Sequence, residues 1–185
     1  LIYCYYIMRQ HYCSSRNIYT SYKDWLNAQI TSVNQRVQMI DIGCGPATCG
    51  IVFAEIFKDA APNMVYTGID VSTEMKRMAR TLLDDVFNGE INCQMYNTFN
   101  ELDASYWGGC SELPSLVIFN MSYFFSNVSA QFTERLAIQI CEIMKSHPLN
   151  RYVFFIQHAE CDKKLNSYKV FKRIISPYIK VIKSE

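Results

Sequence analysis

The sequence lacks the cysteine spacings, long apolar runs and charge excess that mark several large classes of protein. No two of its eight cysteines form a C-x-x-C pair, so a zinc site is poorly supported. Several cysteines fall inside predicted strands and helices, where cysteine packs as a small apolar residue, and we expect a reduced, cytoplasmic protein. No apolar run reaches transmembrane length. The net charge of +1 argues against strong non-specific adhesion to nucleic acid or anionic membrane.

What the chain does have is enough apolar side chains for a full core. Its 185 residues suit one domain, and half of them are hydrophobic, including 13 tyrosines and 11 phenylalanines. This composition argues against disorder. The sequence begins with Leu1 rather than methionine, so we expect the natural start to lie upstream.

The most informative stretch reads V-Q-M-I-D-I-G-C-G-P-A-T-C-G from residue 37 to residue 50. Its pattern predicts a buried strand over Val37–Ile42, a tight turn over Gly43–Ala47 and a helix over Thr48–Phe57. The two glycines of the turn let the backbone bend sharply and let a ligand approach without meeting a Cβ atom. Such a turn at the carboxyl end of a parallel strand is typical of a nucleotide-type cofactor site.

Details of the turn narrow the choice of cofactor. A Walker phosphate-binding loop needs a Gly-Lys-Ser/Thr ending, and the dinucleotide fingerprint needs glycine where the chain has Thr48. The remaining pattern resembles motif I of the class I S-adenosylmethionine (SAM)-dependent methyltransferases, D/E-x-G-x-G-x-G. Asp41, Gly43 and Gly45 match that motif. Ala47 replaces the third glycine, which is a mild departure only if its φ angle is negative.

A second acid ends the next predicted strand, Met64–Asp70. The segment G-I-D-V-S-T-E-M is similar to motif II of the same family, which implies that Asp70 binds the ribose hydroxyls of SAM and that Val71 packs on the adenine. A helix cap is the alternative role for Asp70. The resemblance also implies that Asp41 accepts hydrogen bonds from the ammonium end of SAM. Asn97 would bind the adenine amino group, with a plain turn residue as an equal alternative.

The methyl acceptor is expected after the fourth and fifth strands. The segment N-M-S-Y from residue 120 is similar to the N-P-P-Y motif of amino-group methyltransferases, although methionine and serine replace both prolines. The resemblance implies that Asn120 lies beside SAM and helps to hold the acceptor, and that Tyr123 stacks on it. Core aromatic packing is the alternative for Tyr123. His158 and Glu160 form a candidate acid–base pair, but methyl transfer needs little acid–base catalysis because the sulfonium is already activated.

Alternating strands and helices predict a three-layer, mostly parallel α/β sheet with helices on both faces, the Rossmann-like methyltransferase fold. Residues 1–36 are predicted to form an N-terminal helical cap and residues 37–185 the SAM-binding domain. The family sheet usually has seven strands, so we expect a truncated or shortened edge at the end of this chain. Four further expectations are a central fourth strand over Ser115–Asn120, a helix over Val128–Lys145 with Phe132 inward, a helix from Asp162 to Ile175, and a last strand over Tyr178–Lys183.

The function predicted from the sequence is methyl transfer from SAM to a small molecule or an RNA base. The near-zero net charge favours a small or neutral acceptor. RNA contact through the basic stretch 163–183 is less favoured than a solvated helix face. Two other functions stay open: a catalytically inactive methyltransferase-like binding or assembly module, and a nicotinamide-dependent oxidoreductase, against which Thr48 counts. We expect no metal and no membrane contact, and the sequence does not indicate an oligomeric state.

Overall fold

One sheet of parallel strands organises the described part of the chain. The computed structural model describes residues 4–33, 37–60, 64–107, 115–158 and 165–180. The strands are β1 (Val37–Ile42), β2 (Val65–Ile69), β3 (Asn92–Tyr96), β4 (Leu116–Ser122) and β5 (Arg151–Gln157). The helices are α1 (Arg9–Ser21), α2 (Lys23–Val33), α3 (Thr48–Phe57), α4 (Thr73–Phe87), α5 (Ala104–Trp107), α6 (Ala130–Ser146) and α7 (Asn166–Ile175). A π-helical turn covers Cys4–Met8, and 3-10 turns cover Phe99–Glu101, Phe124–Ser126 and Ser176–Tyr178.

The strand order is β3-β2-β1-β4-β5, and every adjacent pair runs parallel. The expected Rossmann-like α/β fold is therefore confirmed. The middle strand is β1 rather than β4, which lies beside it. The chain builds the sheet outwards from β1 on one side and then returns to its other side at β4. Ligands of such sheets bind outside the carboxyl ends of the strands at this reversal of direction, so the region beyond β1 is the candidate site.

Burial on both faces explains why β1 is mostly apolar, with Gln38 and Asp41 as its two polar residues. All six of its residues are buried. Successive side chains of a strand point to opposite faces, and accordingly Met39 joins the core on one side while Ile40 joins the core on the other. Both cores are lined with apolar helix faces, as expected of a parallel sheet.

The N-terminal helices share a core with the sheet. The N-terminal helical segment is divided between α1 and α2, because Tyr22 leaves the helical conformation at φ −110° and ψ 13°. Tyr19, Leu26 and Ile30 are nevertheless all buried in the same cluster as Met39. The division into a cap over residues 1–36 and a domain over residues 37–185 stays a prediction.

Two expectations about the second half of the chain are wrong. Phe132 is 44% exposed instead of inward. Ser129 caps α6 by accepting a hydrogen bond from the backbone of Phe132, and the buried stripe of the helix begins one residue later, at Thr133. Tyr178 belongs to a 3-10 turn instead of a strand, since Pro177 lies in that turn and restricts its backbone. The predicted cap Asp162, the residues beyond 180 and the expected loop at residues 108–109 lie outside the described residues.

The close approach of α3 to β2 gives the first prediction. An ideal Cβ atom on Gly50 would lie 2.2 Å from Cε2 of Tyr66, whose ring is fully buried. Replacing glycine by alanine inside a helix normally stabilises a protein by about 1 kcal/mol. We expect Gly50→Ala instead to lower the free energy of unfolding by about 1–3 kcal/mol, because the buried ring cannot move aside. Chemical denaturation measures the change.

The matched control is Thr81→Ala, at an exposed position of α4. This variant follows ordinary helix propensity, so its free energy of unfolding should stay within about 0.5 kcal/mol of the parent value. A Gly50→Ala variant as stable as the parent would show that α3 and β2 are not packed as described.

Candidate functional site

The glycine bend after β1 is tied by hydrogen bonds to the end of β2. The backbone amides of Gly43 and Cys44 donate to the carbonyl of Ile69 at 2.8 and 3.1 Å. The amide of Gly45 donates to Oδ2 of Asp70 at 3.0 Å. The two sequence motifs, 25 residues apart, thus meet at one edge of the sheet.

The bend uses the left-handed backbone region three times. Gly43 has a φ of 74° and Gly45 a φ of 52°, and both fit because glycine lacks a Cβ atom. Ala47 has a φ of 61°, so the replacement of the third glycine is a strained one. A non-glycine residue in this region costs about 1–2 kcal/mol. Such strain persists where the surrounding structure fixes the backbone, and it clusters at functional sites.

Asp70 faces the bend, and its carboxylate oxygens can accept further hydrogen bonds. Its Oδ1 accepts from the amide of Ser72 at 2.8 Å, and its Oδ2 accepts from Gly45. The cap of α4 is Ser72, which accepts from the amide of Met75 at 3.3 Å, so Asp70 is not needed as a helix cap. Asp70 is half-buried, and the adjacent Val71 is 85% exposed. A carboxylate has about four lone-pair positions, so two remain for a ligand.

Lys76 joins the ends of β2 and β3, and the sequence analysis did not single it out. Its Nζ donates to the carbonyl of Asp70 at 2.9 Å and also to Oδ1 of Asn97. Lys76 is 7% exposed, on the face of α4 that also carries Ala79 and Leu83. A lysine on an apolar helix stripe is the signal that would have found it. The role of Asn97 in binding adenine stays a prediction.

Asp41 lies beneath the bend in a buried hydrogen-bond network. It is 2% exposed, and its Oδ1 accepts from Nδ2 of Asn120 at 2.7 Å while its Oδ2 accepts from the hydroxyl of Tyr66 at 2.9 Å. Burial raises the pKa of Asp41 to about 6. The two hydrogen bonds oppose that shift, and the nearby charge of Asp70 adds to it.

The side chain of Asn120 points into this network. It is 2% exposed, and its Oδ1 accepts from the hydroxyl of Tyr19 at 2.9 Å. Ser122, two residues along β4, donates to Oε1 of Gln157 at 2.9 Å and accepts from Sγ of Cys49. The predicted contact of Asn120 with an acceptor stays a prediction. Tyr19 and Tyr66 carry no sequence signal of this role, because both occupy ordinary apolar positions of a helix and a strand.

The remaining predicted residues lie beyond the ends of β4 and β5. Tyr123 has a φ of 56°, and its ring stacks on His11 of α1 with 4.4 Å between centroids and 9° between planes. Burial lowers the pKa of His11. The ring of His158 lies 4.3 Å from that of Tyr168 on α7. Its predicted partner Glu160 lies outside the described residues, and the acceptor roles of Tyr123 and His158 stay predictions.

Phe124 lies against the bend from the β4 side. An ideal Cβ atom on Gly43 would lie 2.9 Å from Cδ2 of Phe124, so the close approach of this ring requires glycine. The ring of Phe132 follows at 6.2 Å between centroids. The side of the bend that faces β4 is therefore aromatic and apolar.

An open groove of about 380 Å³ lies elsewhere, between the turn after β3 and α6. Phe99, Leu102 and Trp107 form its apolar floor, and Gln139 and Glu142 lie on α6. None of the residues predicted for the site lines this groove. In the described ranges, no cluster of three or more metal-ligating side chains occurs, and no helix is long and apolar enough to cross a membrane.

The buried carboxylate of Asp41 gives the second prediction. Between about pH 4 and pH 6 the folded chain keeps a proton that the unfolded chain has lost, so stability falls as pH rises through this range. Asp41→Asn removes the charge and keeps the shape. We expect this variant to be more stable than the parent at pH 8, by at most about 3 kcal/mol, with a difference near zero at pH 4. Urea denaturation between pH 4 and pH 8 measures it.

Asp85→Asn is the control, since it removes an exposed carboxylate of α4. Its effect should stay within about 0.5 kcal/mol at every pH. An Asp41→Asn variant that is less stable than the parent at pH 8 would contradict the prediction and make the carboxylate a stabilising element.

Comparisons with known proteins found only distant, partial similarities to solved structures. No protein-family model and no curated protein matches the chain. Among solved structures, PKMT2 from Rickettsia typhi in complex with AdoHcy is 19% identical over 57% of this chain and 18% of its own, with a TM-score of 0.42. A second structure of PKMT2 covers 62% of this chain and 19% of its own at a TM-score of 0.43.

The YcgJ protein from Bacillus subtilis is 16% identical over 60% of this chain and 44% of its own, with a TM-score of 0.34. The chain thus matches about a fifth of PKMT2 and less than half of YcgJ. Because these scores are low, the assignment depends on the strand order, the register and the crossovers of this chain itself. On that evidence, the chain has the Rossmann-like α/β fold that class I SAM-dependent methyltransferases use.

Proposed function

We propose that the chain binds SAM at the carboxyl ends of β1 and β2 and transfers its methyl group to a small molecule or an RNA base. The observation that carries this proposal is the hydrogen bond of 3.0 Å between the amide of Gly45 and the carboxylate of Asp70. It joins a bend that a ligand can approach closely to an acid with spare acceptor positions, at the switch point of a parallel sheet.

The ribose end of SAM fits the residues at the end of β2. Asp70 would accept hydrogen bonds from the two ribose hydroxyls, because its two bonds to backbone amides leave two lone-pair positions. Val71 would pack on the adenine, and its 85% exposure leaves its side chain accessible. Asn97 would contact the adenine amino group through its side-chain amide. The oxygen of that amide already accepts a hydrogen bond from Nζ of Lys76.

The amino-acid end of SAM fits the residues around the start of α3. Thr48, the first residue of α3, is 3% exposed, and its hydroxyl oxygen has no hydrogen-bond partner within the described residues. A helix N-terminus attracts a carboxylate, and an orphaned hydroxyl there would bind it. Asp41 lies beneath the same bend and would attract the ammonium group, directly or through water.

SAM supplies an activated methyl group on a sulfonium, so the protein mainly has to align the acceptor and exclude water. Phe124 and Phe132 would form an apolar wall on the acceptor side. Tyr123 and His158 follow the ends of β4 and β5, and Asn120 lies two residues before the end of β4; from there they would orient the acceptor. Contact with RNA through the basic stretch 163–183 remains the less favoured form of this proposal.

A catalytically inactive binding or assembly module is the second candidate. Three contacts favour it: Phe124 lies against Gly43, His11 stacks on Tyr123, and both ends of the Asn120 amide are bonded inside the protein. In this form the aromatic side chains cover the edge of the sheet and serve as packing. The two candidates differ in whether SAM binds and turns over.

The third prediction tests cofactor binding with Asp70→Asn. We expect titration calorimetry to show saturable heat with SAM and with S-adenosylhomocysteine, and none with NAD. Loss of charge-assisted hydrogen bonds to the ribose should weaken SAM binding in the variant by about 10- to 100-fold. SAM at 100 times its dissociation constant should also stabilise the parent chain by about 2.7 kcal/mol in thermal unfolding.

Glu74→Gln is the matched control, because it makes the same charge change one turn away. Glu74 is exposed and pairs with Arg77 at 3.1 Å, so its loss should leave SAM affinity within about twofold. Absence of heat with both SAM and S-adenosylhomocysteine would reject the proposal and favour the inactive module. Equal affinity of the parent and Asp70→Asn would reject the ribose contact.

A further inference from the structure

A chain of buried hydrogen bonds connects α1 to the carboxylate beneath the glycine bend. The hydroxyl of Tyr19 donates to Oδ1 of Asn120 at 2.9 Å, and Nδ2 of Asn120 donates to Oδ1 of Asp41 at 2.7 Å. All three side chains are at most 2% exposed. Tyr19 and Asn120, which are 101 positions apart in the sequence, are therefore directly hydrogen-bonded in the fold.

The hydroxyl of Tyr19 selects one orientation of the Asn120 amide. Ionised carboxylate oxygens only accept, so the NH₂ group of the amide has to face Asp41. A rotated amide would bring its carbonyl oxygen against the carboxylate and its NH₂ group against the hydroxyl. The donor from Tyr19 fixes the carbonyl on the far side, and that bond leaves the NH₂ group facing Asp41.

Packing fixes the hydroxyl itself. The ring of Tyr19 stands edge-on to Phe53 of α3, with 5.5 Å between centroids, and edge-on to Phe155 of β5, with 4.9 Å between centroids. Such edge-to-face pairs stabilise one ring orientation. The hydroxyl therefore reaches Asn120 from a ring that has little freedom to move.

The same face of α1 makes two further contacts at one-turn intervals, one with α3 and one with the residue that follows β4. Ser15 is bonded to Sγ of Cys49 at 3.1 Å, and His11 stacks on Tyr123. Positions 11, 15 and 19 lie on one side of a helix because they are four residues apart. Tyr19 thus acts from a helix that is held along the ends of β4 and α3.

We propose that Tyr19 is a positioning residue, whose hydroxyl fixes Asn120 so that Asp41 is held ionised and oriented for the ammonium group of SAM. The inference rests on the proposed function, since it takes SAM as the ligand of Asp41. It assigns to α1 a part in cofactor binding, in addition to covering the sheet.

The groups that face Asp41 make its ionisation sensitive to this bond. They are Tyr66 of β2, Cys44 of the bend, Cys49 of α3, Tyr19 of α1 and the carboxylate of Asp70. All of them are acids, so none offsets the negative charge as a cation would. The hydrogen bond from Asn120 lowers the pKa of Asp41 against the effect of burial. A weaker bond therefore raises that pKa.

Tyr19→Phe tests the proposal, because it removes the hydroxyl and keeps the ring. We measure SAM affinity by calorimetry from pH 5 to pH 8. In the parent chain, SAM affinity should fall at acid pH as Asp41 gains a proton. In the variant, the midpoint of this loss should lie about 0.5–1 pH unit higher. In parallel, the carboxyl carbon of Asp41 is titrated by NMR in the ligand-free chain, where its midpoint should move in the same direction.

Tyr12→Phe is the matched control on the same helix. It removes a hydroxyl that donates to Glu55 at an exposed position, and neither measurement should change. Asn120→Ala removes the link, so adding Tyr19→Phe to it should move the midpoint of Asp41 no further. A further movement would show that Tyr19 acts by another route and would overturn the proposal.

The two readouts separate failure of this inference from failure of the proposed function. The positioning role is overturned if the parent chain binds SAM and Tyr19→Phe changes neither readout. The two readouts are the fall of SAM affinity at acid pH and the NMR titration midpoint of the Asp41 carboxyl. Parent chain that gives no heat with SAM rejects the proposed function, and with it the assignment of SAM as the ligand of Asp41. The NMR midpoint then still decides whether Tyr19 controls the carboxylate.

Discussion

The hydrogen bonds between the bend after β1 and the end of β2 hold the whole edge of the sheet together. Three consecutive amides, those of residues 43, 44 and 45, donate to Ile69 and Asp70. These hydrogen bonds fix the left-handed turn, including the strained Ala47, and so set the direction in which α3 leaves the turn. Strand order then brings β4 to the other side of β1. The glycine bend, Asp70 and the end of β4 meet at one edge of the sheet for that reason.

The second constraint is the buried carboxylate of Asp41. Asp41 has a pKa raised to about 6 by burial, and only Asn120 and Tyr66 among its described partners donate to it. An acid that destabilises the free fold is typical of a functional site, because a cation bound there recovers the electrostatic loss. The network also explains why two tyrosines from α1 and β2 converge on one point.

Local patterns predicted the fold well, since β1 and α3 have the predicted bounds. Strand alternation and glycine spacing are encoded within a few residues, whereas contacts such as Tyr19 with Asn120 join distant segments and leave no local pattern. Phe132 was misplaced because capping by Ser129 shifts the buried stripe by one residue. The partners of Lys76 and the orphaned hydroxyl of Thr48 depend on the packing of separate elements, so the sequence does not reveal them.

We propose that the bend after β1 and the acid at the end of β2 together bind the adenosine-bearing sulfonium. A titration of the ¹⁵N-labelled chain with SAM, followed through its backbone amide NMR signals, tests this directly. We expect saturable shifts that are largest at Gly43, Gly45 and Val71, and none in the same amides on addition of NAD. Shifts confined to the groove beside α6, or no shifts with SAM at all, would show that SAM does not bind at this bend.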